Sequence, residues 1–224
     1  MSLIVDFRFT DVPYDMMLLR QHVLLLQRQH EAIVEEEVKQ LWKHVDGISD
    51  DEERQFAGSD ATHLEDRLRA GVTTRYLGLS AIVAIWANYE AGIKEAATYV
   101  AKNREIILKM SDLRGSFLEQ AYRYYADVLK LDLHSENTDV SRLQEFSAIR
   151  NAVAHTNGRI SDLSEGKRAA IEQIVKRNSG VRIEESDWLV VSYQYVLETL
   201  NLADSLLEGL FDRVKRAFPP RGAT

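Results

Sequence analysis

The distribution of proline is the feature that most limits what this chain of 224 residues can fold into. Its three prolines are Pro13, Pro219 and Pro220, so residues 14–218 contain none. Proline removes a backbone donor and clashes with the preceding helical turn, and its absence permits long uninterrupted helices. Apolar residues also recur every three to four positions over much of the chain, which is typical of amphipathic helices. The sequence therefore predicts an all-α fold.

The spacing of apolar and turn-forming residues predicts the order of the elements. A long N-terminal helix over 13–45 is followed by an acidic loop over 46–60. Further helices are predicted over 61–70, 73–102, 112–130, 164–178 and 192–217. The helix over 112–130 has Ser111 or Asp112 as its cap. After a polar connection at 131–138, another helix runs from Asp139 or Ser141 to His155. Alternating and β-prone residues predict a small β-hairpin near 181–192. We expect a single domain over 1–224, with residues 73–218 forming a helical bundle and 219–224 a disordered tail.

Composition excludes several classes of chemistry. The chain has no cysteine, which rules out disulfides, thiolate metal ligands and a cysteine nucleophile. Its histidines lack metal-ligand spacing, and it carries neither a phosphate-binding loop nor a dinucleotide fingerprint, so we expect no metal and no cofactor. Its longest nearly apolar run, residues 79–87, is about half the ~20 residues of a spanning helix. We expect a cytoplasmic protein with no membrane association.

One short segment carries a specific chemical suggestion. Arg150 and Asn151 precede His155 near the end of a predicted helix, and residues 156–158 (Thr-Asn-Gly) then favour helix termination. An arginine can neutralise a phosphate group, and a histidine can exchange a proton near neutral pH. A net charge of −7 argues against broad binding of nucleic-acid backbones, so any phosphate site must be local.

This pattern of arginine, polar residue and histidine resembles the HEPN superfamily of all-helical ribonucleases, in which four to six residues separate the Arg from the His. The resemblance covers roughly residues 75–215, is similar to the stand-alone HEPN proteins of bacterial defence and toxin systems, and implies a HEPN-like helical bundle. It also implies metal-independent RNA cleavage through attack of the ribose 2′-hydroxyl, giving 2′,3′-cyclic phosphate and 5′-hydroxyl ends. His155 would be the general acid or base, Arg150 would stabilise phosphoryl charge, and Asn151 would orient either group. A cognate antitoxin or other regulator is a further expectation.

Helix geometry constrains how such a site could form. Five residues along a regular helix separate the directions of Arg150 and His155 by about 140°, at ~100° per residue. A cleft reached from two sides, or loosening of the helix at Gly158, would let the two side chains converge. A homodimer offers the first arrangement, and the resemblance implies a composite active site of this kind.

Three further residues are speculative members of the site. Glu90 and Lys94 form an i,i+4 pair on the helix over 73–102, where Glu90 could orient His155 and Lys94 could bind phosphate. An exposed salt bridge is the favoured interpretation of that pair. Arg159 could widen the phosphate site, although an arginine in a solvated loop is the more common finding.

Two alternatives remain open at the level of sequence. The chain could be a non-catalytic helical module that binds a protein or a nucleotide, in which case Arg150 pairs with an acid such as Glu145 and His155 caps its helix. Residues Tyr122, Tyr124 and Tyr125 could stack on bases, although packing in the core is the favoured interpretation.

Overall fold

The computed structural model describes residues 9–70, 72–135, 140–184 and 186–218. Within these ranges the α-helices, in chain order, are α1 (Asp11–Asp46), α2 (Asp51–Ala70), α3 (Val72–Asn103), α4 (Phe117–Arg123), α5 (Val140–Thr156), α6 (Glu165–Arg177) and α7 (Tyr193–Ala217). Strands β1 (Val181–Ile183) and β2 (Leu189–Val191) pair antiparallel. The predicted all-α fold with a small hairpin is confirmed. Asp139 and the tail over 219–224 lie outside the described residues.

The predicted acidic loop over 46–60, with at most one helical turn, is wrong beyond residue 50, because α2 already begins at Asp51. The side chain of Asp50 accepts a hydrogen bond from the backbone N of Glu53 at 2.8 Å and thus caps the helix. Three acidic residues then occupy the first turn, where negative charge is favoured by the helix dipole. The acidic run therefore starts a helix, and the short helix predicted over 61–70 is its second half.

Helix α2 is tied to α1 by polar side chains. The indole nitrogen of Trp42 donates to Glu65 at 2.7 Å, and Arg69 reaches both Glu65 at 2.7 Å and Glu35 at 2.6 Å. The hydrogen bond from Trp42, followed by that from Arg69, lowers the pKa of the Glu65 carboxyl. The acidic block at 35–37 thus serves in part to hold two helices together.

The helix predicted from residue 112 begins later, at Phe117. Its cap is Ser116, whose hydroxyl accepts from the backbone N of Glu119 at 3.4 Å while the Glu119 carboxylate accepts from the Ser116 backbone N at 2.7 Å. This reciprocal capping box competes with any earlier start. The helix continues as a π-helix over Tyr124–Leu129, one residue short of the predicted end, and Lys130 caps it with a φ of 51°.

The chain divides into two compact units, each assembled from separate stretches. The first unit comprises Met1–Leu19, Val83–Ser147 and Glu198–Thr224. Its core is aromatic: Trp86 packs edge-to-face on Phe146 with ring centroids 4.9 Å apart, and the hydroxyl of the buried Tyr125 donates to the Ile93 carbonyl at 2.7 Å. Tyr124 is also buried, so for these two tyrosines packing in the core is confirmed.

The second unit comprises Arg20–Ile82 and Ala148–Leu197. Its core is aliphatic and includes Ile149, Ile160 and all three residues of β2. The expectation of a single domain over 1–224 stays a prediction. No helix among the described residues combines the length and the apolar character needed to cross a bilayer.

Candidate functional site at the end of helix α5

The motif residues Arg150, Asn151 and His155 all lie on α5, which ends one residue after the histidine. Asn157 and Gly158 then adopt positive φ angles of 54° and 84°, and the Gly158 backbone N donates back to the Ala152 carbonyl at 3.4 Å. Left-handed residues of this kind terminate helices, and asparagine and glycine tolerate them best. The predicted helix end after His155 is therefore confirmed.

Asn151 bonds to the Arg150 side chain and lies on the same helix face as His155. The Arg150 guanidinium donates from Nη1 to the Asn151 side-chain oxygen at 2.9 Å, and both residues are half-buried. Asn151 and His155 are four positions apart, so they point within about 40° of each other on the same face of the helix. Arg150 thus directs its charge towards the face that carries His155.

The His155 side chain is exposed and forms no hydrogen bond with another described residue. Helix α5 is regular through Thr156, so loosening at Gly158 begins too late in the chain to change the offset between Arg150 and His155. Their Cα atoms are separated by about 7.5 Å along the axis, at 1.5 Å per residue. Within one copy, Arg150 and His155 could reach the same phosphate only because the guanidinium turns towards Asn151.

The β-hairpin holds the end of the motif helix in place. The backbone N of Leu189 in β2 donates to the Gly158 carbonyl at 2.9 Å, and the Ile160 backbone N donates to Asp187 at 2.8 Å. Gly158 is also closely packed, because a Cβ atom there would lie 2.7 Å from Cδ1 of Leu79. The sequence predicted the hairpin but gave no sign that it anchors the segment after His155.

Arg159 lies directly after this anchored glycine. Its side chain is exposed, with the guanidinium carbon 5.9 Å from the centroid of the Trp188 ring, and it forms no ion pair with a described carboxylate. The nearby Arg168, by contrast, contacts Glu172 at 2.9 Å and Asp187 at 3.8 Å. Arg159 therefore offers a positive charge positioned by an aromatic ring, as the wider phosphate site would require.

Glu90 and Lys94 form the i,i+4 ion pair that their spacing predicts, at 3.1 Å. The second Glu90 oxygen accepts from the indole nitrogen of Trp86 at 2.5 Å, and the Lys94 ammonium lies 5.3 Å from the centroid of the Phe117 ring. These residues belong to the first unit, whereas Arg150, Asn151, His155 and Arg159 belong to the second. Their contacts match the favoured interpretation of a salt bridge, and a role for them in catalysis stays a prediction.

A half-buried histidine in the first unit, His134, was not predicted as a structural residue. His134 bonds through Nε2 to the Tyr89 hydroxyl at 2.7 Å and through Nδ1 to the Tyr122 hydroxyl at 2.9 Å. Burial, with a smaller effect of the nearby Arg213 charge, lowers the pKa of His134 to about 4. Tyr122 thus serves this network, and nothing in the spacing of these residues along the chain indicated it.

The described residues contain no group of three or more histidine, aspartate or glutamate side chains placed to hold a metal ion. No protein-family model matches this chain, and no curated protein or solved structure is significantly similar to it.

Proposed function

We propose that this protein is a metal-independent endoribonuclease of the defence or toxin–antitoxin type. The observation that carries the proposal is the hydrogen bond from Arg150 to Asn151, one helical turn before the exposed His155. Cleavage proceeds by attack of a ribose 2′-hydroxyl on the adjacent phosphorus and expels the 5′-oxygen of the next nucleotide. The products are a 2′,3′-cyclic phosphate and a 5′-hydroxyl, so DNA is not a substrate.

Each motif residue has a distinct role in this reaction. His155 takes the proton from the 2′-hydroxyl or gives one to the leaving oxygen, and its exposure leaves both ring nitrogens available to RNA. Arg150 offsets the negative charge that builds on the phosphoryl oxygens. Asn151 is a positioning residue, because its side-chain oxygen fixes the guanidinium through which Arg150 would act. Arg159 adds a second cation after the helix end.

The angular offset between Arg150 and His155 supports a composite site. Residues whose Cα–Cβ bonds diverge by about 140° on one helix engage a single phosphate most simply when a second copy presents its own α5 end across a two-fold axis. We therefore propose a homodimer in which Arg150 of one copy acts with His155 of the other. The chain is acidic overall, and pairing two motifs concentrates positive charge where it is needed.

Two single substitutions test the chemistry. Removing the imidazole in His155→Ala should reduce cleavage of a mixed tRNA and mRNA substrate in EDTA by about 10²–10⁴-fold. The exposed His63→Ala, on helix α2, is the matched control and should retain wild-type activity. Equal cleavage by both variants would refute the proposal, and no cleavage by an intact wild-type protein would favour the non-catalytic module.

Mixing two inactive variants tests the composite site. An equal mixture of Arg150→Ala and His155→Ala, exchanged into mixed dimers, contains one complete pair in each heterodimer. About a quarter of the wild-type activity should then return, since half of the dimers are mixed and each has one of its two sites intact. If the mixture stays as inactive as either variant alone, each site draws both residues from one copy.

A further inference from the structure

The first unit contains a cavity that the proposed function does not use. Its volume is about 700 Å³, within the range of small-molecule sites. One wall is the C-terminal half of α3, where the small residues Ala97, Thr98 and Ala101 leave room above the helix. The rest of the lining comes from the segment 106–111, from α4 and from Tyr124. All of these residues belong to the first unit.

The interior of this cavity is largely apolar. Met110 and Phe117 line it, and the ring of Tyr124 completes the wall on the side of α4. Ile107 and Leu108 also line the cavity and remain 93% and 43% exposed. Two consecutive exposed apolar side chains at the margin of a cavity gain free energy when an apolar ligand covers them.

The charges at this cavity are predominantly positive. Lys94, Lys102 and Lys109 contribute ammonium groups, and Glu90 is the single carboxylate among the lining residues. Glu90 is already paired with Lys94 at 3.1 Å, whereas Lys102 and Lys109 form no ion pair with a described carboxylate. Two net positive charges therefore remain, on a chain whose overall charge is −7.

The wall that carries Lys109 is held by hydrogen bonds within the protein. The Tyr124 hydroxyl donates to the Leu108 carbonyl at 2.6 Å, the Asp112 carboxylate accepts from the Lys109 backbone N at 2.9 Å, and the Ile106 backbone N donates to Ala101 at 2.9 Å. A wall that is already fixed costs little ordering entropy when a ligand binds.

We propose that this cavity binds a small amphipathic carboxylate, such as a medium-chain fatty acid. The apolar body lies against Ala97, Met110 and Phe117, and the carboxylate pairs with Lys102 and Lys109. Neutral molecules of the same shape lose the ion pairs, and amphipathic cations meet repulsion. This inference is independent of the proposed ribonuclease activity, because every residue that carries it lies outside the motif on α5.

Isothermal titration of the full chain with decanoate, decanol and decylamine tests both parts of the proposal. Decanoate should bind with a stoichiometry of one, and decanol about tenfold more weakly, the equivalent of one good charge-assisted contact. Decylamine should not bind detectably. Equal binding of decanoate and decanol, or no saturable binding of decanoate, would overturn the proposal.

Variants then locate the carboxylate. The double variant Lys102→Gln/Lys109→Gln should bind decanoate about tenfold more weakly, since both exposed lysines lose their charge. Lys176→Gln is the control, because Lys176, like Lys102, is an exposed lysine in the last turn of its helix. The substituted side chains are all exposed, so thermal melts should be unchanged. Equal affinity in the double variant and the control would place the ligand elsewhere.

Discussion

The half-buried His134 makes the stability of this protein depend on pH in a calculable way. A neutral imidazole has one donor and one acceptor nitrogen, which matches its two tyrosine partners: one hydroxyl donates to the ring and the other accepts from it. Protonation turns both nitrogens into donors, so the tyrosine that donated must turn its proton away from the ring and accept instead. Burial and the Arg213 charge oppose protonation as well, and the pKa falls from 6.5 to about 4.

The difference between the folded and unfolded pKa of His134 sets the direction and the size of the change in stability with pH. Because the folded pKa lies below the unfolded value, the unfolded state binds the proton more readily, and the stabilisation is complete above pH 6.5. This stabilisation is lost as the pH falls towards about 4. The fall of the pKa from 6.5 to about 4 corresponds to about 3 kcal/mol in the free energy of unfolding. Stability should therefore fall most steeply between these two pH values.

Urea denaturation from about pH 7.5 to about pH 4 measures this effect. The variant His134→Gln keeps a donor and an acceptor but cannot titrate, so the wild type should lose about 3 kcal/mol more than this variant over the range. Exposed histidines provide the control, and His63→Ala should follow the wild-type curve. Parallel curves for the wild type and His134→Gln would refute the reasoning, since the imidazole would then not be held neutral.

Two further predictions concern local structure near the sites. Gly158→Ala forces a positive φ on alanine and brings its Cβ within 2.7 Å of Leu79. The free energy of unfolding, measured by urea denaturation, should therefore fall by about 1–3 kcal/mol. Gly166→Ala is the control, because the space around Gly166 is open, and it should be neutral or slightly stabilising in the same assay. Ser116→Ala removes the cap of α4 and should cost about 1 kcal/mol. A cost below a few tenths of a kcal/mol in calorimetry would contradict that role for Ser116.

Much of the fold follows from local sequence, because the spacing of apolar residues and the absence of proline over 14–218 are enough to predict long helices. The early start of α2 was missed because the acidic run at 50–53 was interpreted by its polarity, although Asp50 is a good cap and its acidic neighbours suit a helix N-terminus. The predicted start of α4 lies five residues before the observed start at Phe117, because Ser111 and Ser116 are both plausible caps. Only Ser116 has a glutamate three residues later to complete the capping box.

The candidate site was predicted in its residues but not in its arrangement. Helix periodicity gave the offset between Arg150 and His155, yet the turn of the guanidinium towards Asn151 is a choice of side-chain conformation that spacing does not determine. The anchoring of Gly158 by Leu189 joins residues that are distant in sequence. The network of His134 likewise depends on tertiary contacts, which no local pattern encodes.

Analysis of the ends of the RNA products tests the central proposal most directly. Purified wild-type protein, incubated with RNA in EDTA, should yield fragments with 2′,3′-cyclic phosphate and 5′-hydroxyl ends, and His155→Ala should yield none above background. A substrate with a single 2′-deoxy substitution at the cleaved position should resist both proteins. Fragments with 5′-phosphate ends, or equal cleavage of the 2′-deoxy substrate, would contradict attack by the 2′-hydroxyl and with it the role proposed for Arg150 and His155.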